Sequence, residues 1–425
     1  MGRAASPSIF IMNNRPHFIL AACFAAVLTV SAADPSPKKK GGTGVKGEIT
    51  DGLPADARRL SLGASAPDFK LLGIDGKTHT LAEYRAAKLL MVVFLSNHCP
   101  YSHASETRLI PLAKEFKSRG LDVVAINPNS PDGVRIDELG YSKYNDSYAE
   151  MKLYAQEAGF PFPYLYDGDT QETAKAYGCL ATPHVFIFDQ ERKLRYVGRV
   201  DDSRFEDLAS VTSHDARNAI VELLAGKTVT MPKTTVMGCS TKWNSKRDDV
   251  AKADAKWQAE PVDLEMIDAG GVAQLAKNDS KRLRLINVWA TWCAPCVAEF
   301  PDLVSLSRRL SNRDFELVTI SMDDPKSPAV AKKFLEKQHV VPSARLKRSL
   351  VEEGRGALNF LYTGASSDAL VKALDPAWPG PLPHTIVVAP GGEIVYRHNG
   401  RVDAEELKNV VLKHLGAFYT PAEKR

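Results

Sequence analysis

Two cysteines three residues apart form the most reactive pattern in this 425-residue sequence. They lie in Trp292-Cys293-Ala294-Pro295-Cys296, which follows an apolar run and opens a helical pattern. At a helix N-terminus, unpaired N–H groups and the positive end of the helix dipole favour a thiolate. We therefore expect Cys293 to attack a substrate disulfide and Cys296, one turn further on, to resolve the mixed disulfide. The sequence has no second Cys-x-x-Cys pair to complete a zinc site, so neither a metal nor a cofactor is expected.

A third cysteine, Cys99, occupies a similar position in His98-Cys99-Pro100-Tyr101-Ser102, but Ser102 replaces the second cysteine. A lone thiolate there could reduce a peroxide through a sulfenic acid, and an inert buried thiol is the alternative. Cys179 and Cys239 are the candidate resolving cysteines, and they could also pair with each other. The sequence leaves this connectivity open.

These cysteine segments belong to a repeat that runs through the chain. The stretch LLMVVFLSNHCPYS (89–102) parallels RLINVWATWCAPC (284–296). In each copy a second apolar run follows, and its last residue, Ile126 or Ile320, lies 27 residues after the cysteine. Pro183 and Pro383 each precede a histidine and an apolar run, and Gly-Arg-Val-Asp follows both (198–201 and 400–403). Four features recurring in order indicate two copies of one fold.

Within each copy, apolar strand-like runs alternate with helical patterns, which predicts βαβ units closed by a β-hairpin. The predicted strands and helices are 89–95, 101–118, 121–126, 147–158, 184–189, 193–198 and 214–225, and then 283–289, 297–310, 315–320, 328–338, 385–389, 393–398 and 404–415. The fold class is therefore α/β, with a mixed sheet flanked by helices in each half.

The first 33 residues have the pattern of a signal peptide: a basic start, an apolar run from Phe18 to Val30 and small residues before Asp34. The apolar run is too short to span a bilayer. We expect export to the periplasm or the exterior, and lipidation of Cys23, whose surroundings resemble a lipobox, would add a membrane tether. Residues 34–56 contain a Pro/Lys/Gly tract and are predicted to be a flexible linker.

The overall composition excludes several classes of protein. The chain has 55 Lys and Arg against 51 Asp and Glu, a formal charge of +4 that gives no reason to expect a nucleic-acid partner. Six cysteines are too few for a disulfide-stapled scaffold. The polar stretch 241–260 is predicted to be an exposed helix or linker between the two halves.

The second half, predicted as a domain over 261–418, resembles the TlpA/ResA-type thiol-disulfide oxidoreductases of the thioredoxin superfamily. The resemblance rests on NVWATWCAPCVAEFPDL and on the later Leu-Pro-His-Thr segment. It implies a thioredoxin-like fold, a redox-active Cys293–Cys296 disulfide, and a cis proline at Pro383 facing the cysteines. Leu382 stands where the family usually has Thr or Val. The resemblance further implies protein thiol or disulfide substrates, apocytochrome c among them, and a membrane thiol reductase as electron donor.

The first half, predicted as a domain over 57–240, resembles the AhpC/TSA redoxins of the same superfamily. LSLGASAPDFKLLGIDGKTHTLAEY (60–84) carries the resemblance, which places the matching cis proline at Pro183. In the peroxidase motif Pro-x-x-x-Thr/Ser-x-x-Cys, Ser96 supplies the hydroxyl before Cys99, whereas Val92 stands in place of the proline.

The leading hypothesis is an exported tandem thioredoxin-like protein that exchanges electrons with protein disulfides through Cys293 and Cys296. One alternative is a thiol peroxidase centred on Cys99 and recycled by the second domain. Another makes the first domain a non-catalytic module that binds a client or a metal, with His98, His103 and His184 near Cys99.

Overall fold

A computed structural model describes residues 52–420. The predicted signal peptide (1–33), Cys23 and most of the predicted linker (34–56) lie outside the described residues. Both halves of the repeat fall within one compact unit, Gly47–Arg425, and are described together. In the described part of the chain, no helix combines the length and apolar character needed to cross a membrane.

The first half builds a seven-stranded sheet in the order β2-β1-β5-β4-β3-β7-β8. Its elements are β1 (Lys70–Gly73), β2 (Thr78–Thr80), β3 (Leu89–Phe94), α1 (Pro100–Lys117), β4 (Leu121–Asn127), α2 (Tyr148–Ala158), β5 (Tyr164–Tyr166), α3 (Glu172–Tyr177), β6 (Ala181–Thr182), β7 (His184–Phe188), β8 (Leu194–Gly198), α4 (Asp215–Leu224) and β9 (Cys239–Ser240). The short strands β6 and β9 form a separate antiparallel pair.

The second half builds a six-stranded sheet in the order β10-β13-β12-β11-β14-β15. Its elements are α5 (Arg247–Gln258), β10 (Glu265–Ile267), α6 (Ala269–Lys277), β11 (Leu283–Trp289), α7 (Ala294–Arg309), β12 (Phe315–Ser321), α8 (Pro328–Gln338), α9 (Ala344–Glu352), β13 (Asn359–Tyr362), α10 (Ser367–Leu374), β14 (His384–Val388), β15 (Ile394–Asn399) and α11 (Ala404–Leu415).

The two sheets share a four-stranded arrangement that confirms the predicted fold class, two tandem thioredoxin-like folds with mixed sheets. The central strand β3 is parallel to β4 and antiparallel to β7, and β11 has the same relation to β12 and β14. Every residue of β3 and β11 is buried, because helices cover both faces of each sheet. The carboxyl ends of these central strands lead directly into the cysteine segments.

Several elements of the structure have no counterpart in the sequence prediction. The strands β5, β10 and β13 contain three or four residues, too few for a period-2 pattern to stand out. Helices α9 and α10 bury only two residues each, so their apolar stripes are narrow. Strand β13 nevertheless lies between β10 and β12 in the sheet, where parallel pairing on both sides supplies the stability that its sequence lacks.

The stretch 241–260 contains helix α5, whose Trp257 packs against the core of the second half.

The two halves are in contact around the C-terminal end of α7 and the residues that follow it. Arg309 Nε donates to the carbonyl oxygen of Leu139 at 3.0 Å, and Arg313 Nη1 donates to that of Gly140 at 2.5 Å. Helix α7 has 16 residues, so its cysteine-bearing N-terminus lies about 24 Å along the helix from Arg309.

The end of the second half reaches the cysteine corner of the first. After α11, the ring of Tyr419 packs against Tyr101 and Tyr141, with centroid distances of 5.1 and 5.0 Å. Phe418 lies against His103 at 6.4 Å. These aromatic contacts help to cover the N-terminus of α1, where Cys99 is located.

Candidate functional site

The second-half corner places Cys293 at the N-cap of α7, immediately after the turn that follows β11. Cys293 and Cys296 form a disulfide with their Cα atoms 5.3 Å apart, and we call them the second-half pair. Ala294 and Pro295 occupy the first helical turn, where proline is tolerated because its missing N–H would have no intrahelical partner. The backbone N–H of Cys296 donates to Cys293 Sγ at 3.3 Å, as expected for a sulfur at a helix N-terminus.

The two cysteines of this pair differ slightly in exposure. Cys293 retains 6% of its surface, whereas Cys296 is fully buried. The neighbouring Trp292 is 69% exposed, so an apolar surface lies beside the accessible sulfur. The geometry supports attack by Cys293 on an external disulfide and resolution by Cys296 from within.

A buried carboxyl group lies beneath the second-half pair. Glu299 is one helical turn after Cys296 on the same face of α7 and is fully buried. Asn287 Nδ2 donates to Glu299 Oε1 at 2.7 Å, and the Val402 backbone N–H donates to Oε2 at 3.0 Å. Burial raises the pKa of Glu299 above its ordinary value, although both hydrogen bonds lower it. A carboxyl group whose pKa is raised in this way is a stronger proton acceptor than an exposed glutamate.

Proline follows a cis peptide bond in both halves, at Thr182-Pro183 and at Leu382-Pro383. Each proline immediately precedes the strand that pairs with the central strand, at the end where the cysteine segment begins. His184 is accordingly paired with Phe94, and His384 with Val288. The structure thus brings Pro183 and Pro383 to the same end of the sheet as the cysteines of their own half.

Cys99 occupies the N-cap of α1 and has no exposed surface. Its Sγ lies 3.0 Å from the carbonyl oxygen of Thr182, the residue before the cis proline. Ser102, at the position of a resolving cysteine, accepts a hydrogen bond from the Ser96 backbone N–H through its hydroxyl oxygen at 3.3 Å. Ser96 and Thr182 share a further hydroxyl hydrogen bond of 2.9 Å.

An ion pair lies directly beside Cys99. His98 Nδ1 is 2.5 Å from Asp146 Oδ2, and both side chains are buried. Asp146 also accepts hydrogen bonds from the Asn97 backbone and from the Asn127 and Asn129 side chains. Burial lowers the pKa of His98, but Asp146 outweighs burial and raises it overall. The Nε2 atom of His98 is buried without a hydrogen-bond partner.

Cys239 is the cysteine that the structure brings to Cys99. Burial raises the pKa of the Cys99 thiol, but the hydrogen bond from Cys239, the charge of His98 and the Ser102 backbone lower it to about 6 overall. The same hydrogen bond and burial raise the pKa of Cys239 well above its ordinary value. Cys99 is therefore the thiolate and Cys239 the thiol near neutral pH.

Cys179, the other candidate resolving cysteine, lies apart from this contact. Its Sγ is 3.4 Å from both the Ala181 carbonyl oxygen and the Thr241 hydroxyl oxygen. Burial raises the pKa of its thiol to about 12, which keeps it protonated. A protonated, enclosed thiol is a poor nucleophile.

The histidines near Cys99 do not converge on one point. His103 Nε2 is 2.8 Å from the Asn97 carbonyl oxygen, and His184 Nδ1 accepts from the Leu180 backbone N–H at 3.3 Å. Within residues 52–420, no three His, Cys, Asp or Glu side chains are grouped as metal ligands would be.

Sequence reasoning did not identify Asp146, Thr182 or Glu106 as parts of the site. Asp146 is 48 residues from its partner His98, so no local spacing indicates the contact. Glu106 is buried on α1, accepts from the Tyr154 hydroxyl at 2.6 Å, and leaves its Oε1 atom without a partner. A charged residue on the apolar face of a predicted helix was the one available signal for Glu106.

Comparison with known proteins gives a consistent picture. A family model described as the AhpC/TSA family matches residues 62–197 and again residues 258–397. A thiol:disulfide interchange protein of Paracoccus denitrificans, a DsbE homolog, is 30% identical over 133 residues, 31% of this chain and 59% of that protein. A thiol-disulfide oxidoreductase ResA of Geobacillus thermodenitrificans is 25% identical over 138 residues, 32% of this chain and 69% of that protein. The chain thus spans less than two thirds of the first relative.

Two solved structures are also similar. A hypothetical protein from Sinorhizobium meliloti 1021 shares 34% identity with a TM-score of 0.40, covering 44% of this chain and 98% of its own. An uncharacterized conserved protein from Geobacillus kaustophilus shares 36% identity with a TM-score of 0.40, covering 44% of this chain and 95% of its own.

Proposed function

Because the chain belongs to the AhpC/TSA family and carries a thioredoxin-like fold twice, we propose that it is a thiol-disulfide oxidoreductase acting through Cys293 and Cys296. The observation that carries the proposal is the second-half pair itself, a disulfide at a helix N-terminus in which Cys293 keeps a small exposed surface and Cys296 has none. The names of the two relatives, an interchange protein and an oxidoreductase, agree with this chemistry.

The reaction begins with the pair reduced. The Cys293 thiolate, stabilised by the N-terminus of α7, attacks one sulfur of a client disulfide, and the other client sulfur leaves as a thiolate. Cys296 then attacks Cys293 Sγ, the mixed disulfide breaks, and the second client thiolate is released. The pair ends as the disulfide seen in the structure, and the client has gained two electrons.

Glu299 serves as the proton acceptor for Cys296. Cys296 is fully buried and reacts only as a thiolate, so its proton must pass to a group within the fold. Glu299 lies one turn away on the same helix face, and its raised pKa suits it to take that proton and return it when the pair is reduced again.

The contacts with the client are assigned to the Trp292 side chain and to the backbone of Leu382, the residue before cis Pro383. Leu382 precedes the cis bond and belongs to no strand of the described chain, and we assign the contact with an extended peptide to its backbone. The exposed Trp292 supplies apolar contact beside Cys293. Protein disulfides are therefore the proposed substrate class. Apocytochrome c as a client and a membrane thiol reductase as electron donor remain predictions from the family resemblance.

We assign the reaction to the outside of the cytoplasm. The support is the signal-like pattern of residues 1–33, and an oxidising compartment is where a disulfide pair of this kind has substrates. The direction in the proposal is reductive: the chain donates two electrons to its client.

The experiment is a single-turnover reduction of oxidised insulin by the reduced full chain, monitored in a stopped-flow instrument by tryptophan fluorescence. We expect Cys293→Ser to slow the reaction to the rate without protein. Cys179→Ser is the matched control, since it changes a buried thiol outside the pair, and its rate should equal that of the parent. Full activity in Cys293→Ser, or loss of activity in Cys99→Ser alone, would overturn the assignment.

A further inference from the structure

In the first half, strand β9 lies against the residue before the cis proline, the position that Leu382 holds in the second half. Thr182 of β6 is paired antiparallel with Cys239, so the chain's own segment lies against the residue before cis Pro183. The sulfur of Cys99 contacts the carbonyl oxygen of that same Thr182. This segment of the chain therefore holds a cysteine beside the residue before the cis proline, where the function proposed for the second half places its client.

Gly238 makes this close approach possible. A Cβ atom at position 238 would lie 2.2 Å from the Thr182 carbonyl oxygen and 2.6 Å from its carbonyl carbon. Both are backbone atoms that cannot rotate away. The glycine in Met237-Gly238-Cys239 thus allows this segment to lie close against Thr182, and that pairing places Cys239 near Cys99.

We propose that Cys99 and Cys239 form a second redox-active pair, the first-half pair, which closes to a reversible disulfide by exchange with a low-molecular-weight disulfide. The inference goes beyond the function proposed for the second half and does not depend on it. Within residues 52–420, Cys99, Cys179 and Cys239 are the unbridged cysteines. Cys99 and Cys239 meet at Thr182: Cys239 is paired with Thr182 of β6, and Cys99 Sγ lies 3.0 Å from the Thr182 carbonyl oxygen.

The different exposure of the two residues decides the order of events. Cys239 is partly exposed, whereas Cys99 is fully buried. Cys239 is the thiol and Cys99 the thiolate, so Cys99 accepts the Cys239 proton as a general base while Cys239 Sγ attacks the small disulfide RSSR, which releases one RS⁻. Cys99 then gives that proton to the released thiolate, forming RSH. Its own thiolate attacks Cys239 Sγ, the mixed disulfide breaks, and a second RS⁻ leaves. The pair is oxidised by two electrons and RSSR is reduced.

Two observations favour a small disulfide over a protein disulfide or a peroxide. The peptide edge at Thr182 is already occupied by β9, which excludes an extended client there. The hydroxyl of Ser96, which the peroxidase motif would use, is engaged in a hydrogen bond with Thr182. The reactive groups at this site are therefore a thiolate and a neighbouring thiol, an arrangement suited to thiol-disulfide exchange.

The test uses the full chain with Cys293→Ser and Cys296→Ser, so that failure here is distinct from failure of the proposed function. The protein is reduced, incubated with oxidised glutathione, quenched with acid and alkylator, and mapped by peptide mass spectrometry. We expect a Cys99–Cys239 disulfide that dithiothreitol reverses. Cys179→Ser, the matched control, should form the same disulfide.

Single variants of the first-half pair separate the steps. Cys99→Ser should accumulate a glutathione adduct on Cys239, because its thiol then loses the neighbour that raises its pKa. Cys239→Ser should leave Cys99 unmodified, because burial protects it. A disulfide through Cys179, no disulfide at all in protein with parental circular dichroism, or oxidation by hydrogen peroxide faster than by glutathione disulfide would each overturn the proposal.

Discussion

Replacing Gly238 with alanine tests how β9 positions Cys239. The new Cβ would meet the Thr182 carbonyl oxygen at 2.2 Å, the Thr182 carbonyl carbon at 2.6 Å and the Pro183 nitrogen at 3.1 Å. Non-bonded carbon contacts are comfortable at about 3.5 Å or more, so the segment must retreat by about 1 Å. A displacement of about 1 Å at reacting atoms can cost on the order of 10²-fold in rate. We expect closure of the first-half pair to slow by about that factor.

The assay measures closure directly. In the Cys293→Ser/Cys296→Ser chain, oxidised glutathione is added in excess, samples are quenched with acid over time, and the decay of the Cys239–glutathione adduct into the disulfide is followed by mass spectrometry. The same variant should raise the midpoint pH at which Cys99 is alkylated, because the hydrogen bond from Cys239 is weakened.

A matched glycine variant controls for the substitution itself. Gly270 lies in α6, and its added Cβ would find only Asp268 Oδ1, at an ordinary 3.4 Å. Gly270→Ala should leave closure unchanged and stabilise the helix by about 0.5–1 kcal/mol. If Gly238→Ala closes as fast as Gly270→Ala, the contact between β9 and Thr182 does not position Cys239 and the reasoning fails.

Three further predictions address the rest of the molecule. Glu299→Gln removes the proton acceptor for Cys296, so a client mixed disulfide should persist longer in quenched reactions by about 10²-fold, and an unchanged lifetime would exclude this role. Burial raises the pKa of Glu106 from 4.5 to about 8, so the folded chain retains a proton that the unfolded chain loses in that range. The free energy of unfolding should therefore fall as pH rises from 5 to 8, by at most about 1.4 kcal/mol per unit, and Glu106→Gln should flatten the decline in urea titrations. The cysteine end of α7 lies about 24 Å along the helix from Arg309, which contacts the first half, so we expect reduction of the first-half pair by the second-half pair to require a second copy of the chain. Its rate constant should rise with protein concentration in rapid-quench mapping, and a concentration-independent rate would show direct transfer within one chain.

Patterns that are local in the sequence predict much of this fold and site. Buried strands such as β3 and β11 are long apolar runs, and the turn into a helix beginning at each cysteine follows from the residues around it. The repeat itself indicated two copies of one fold, and it related Pro183 to Pro383.

The remaining parts depend on contacts between distant residues. The register of Cys239 against Thr182 joins positions 57 residues apart through a two-residue strand, which has no periodicity to detect. The choice between Cys179 and Cys239 as partner of Cys99 therefore could not be made from spacing. The Asp146 partner of His98 lies in a polar loop before α2, where an aspartate is as typical of a helix start as of an ion pair.

The most direct test of the central claim is to trap the mixed disulfide with Cys296→Ser. Without the resolving sulfur, the reduced variant should accumulate a covalent adduct between Cys293 and oxidised insulin, visible on a non-reducing gel and mapped to Cys293 by mass spectrometry. Adding Cys293→Ser should abolish the adduct, and adding Cys99→Ser should leave it unchanged. An adduct that maps to Cys99, or none at all from a fully reduced and folded chain, would contradict exchange at Cys293.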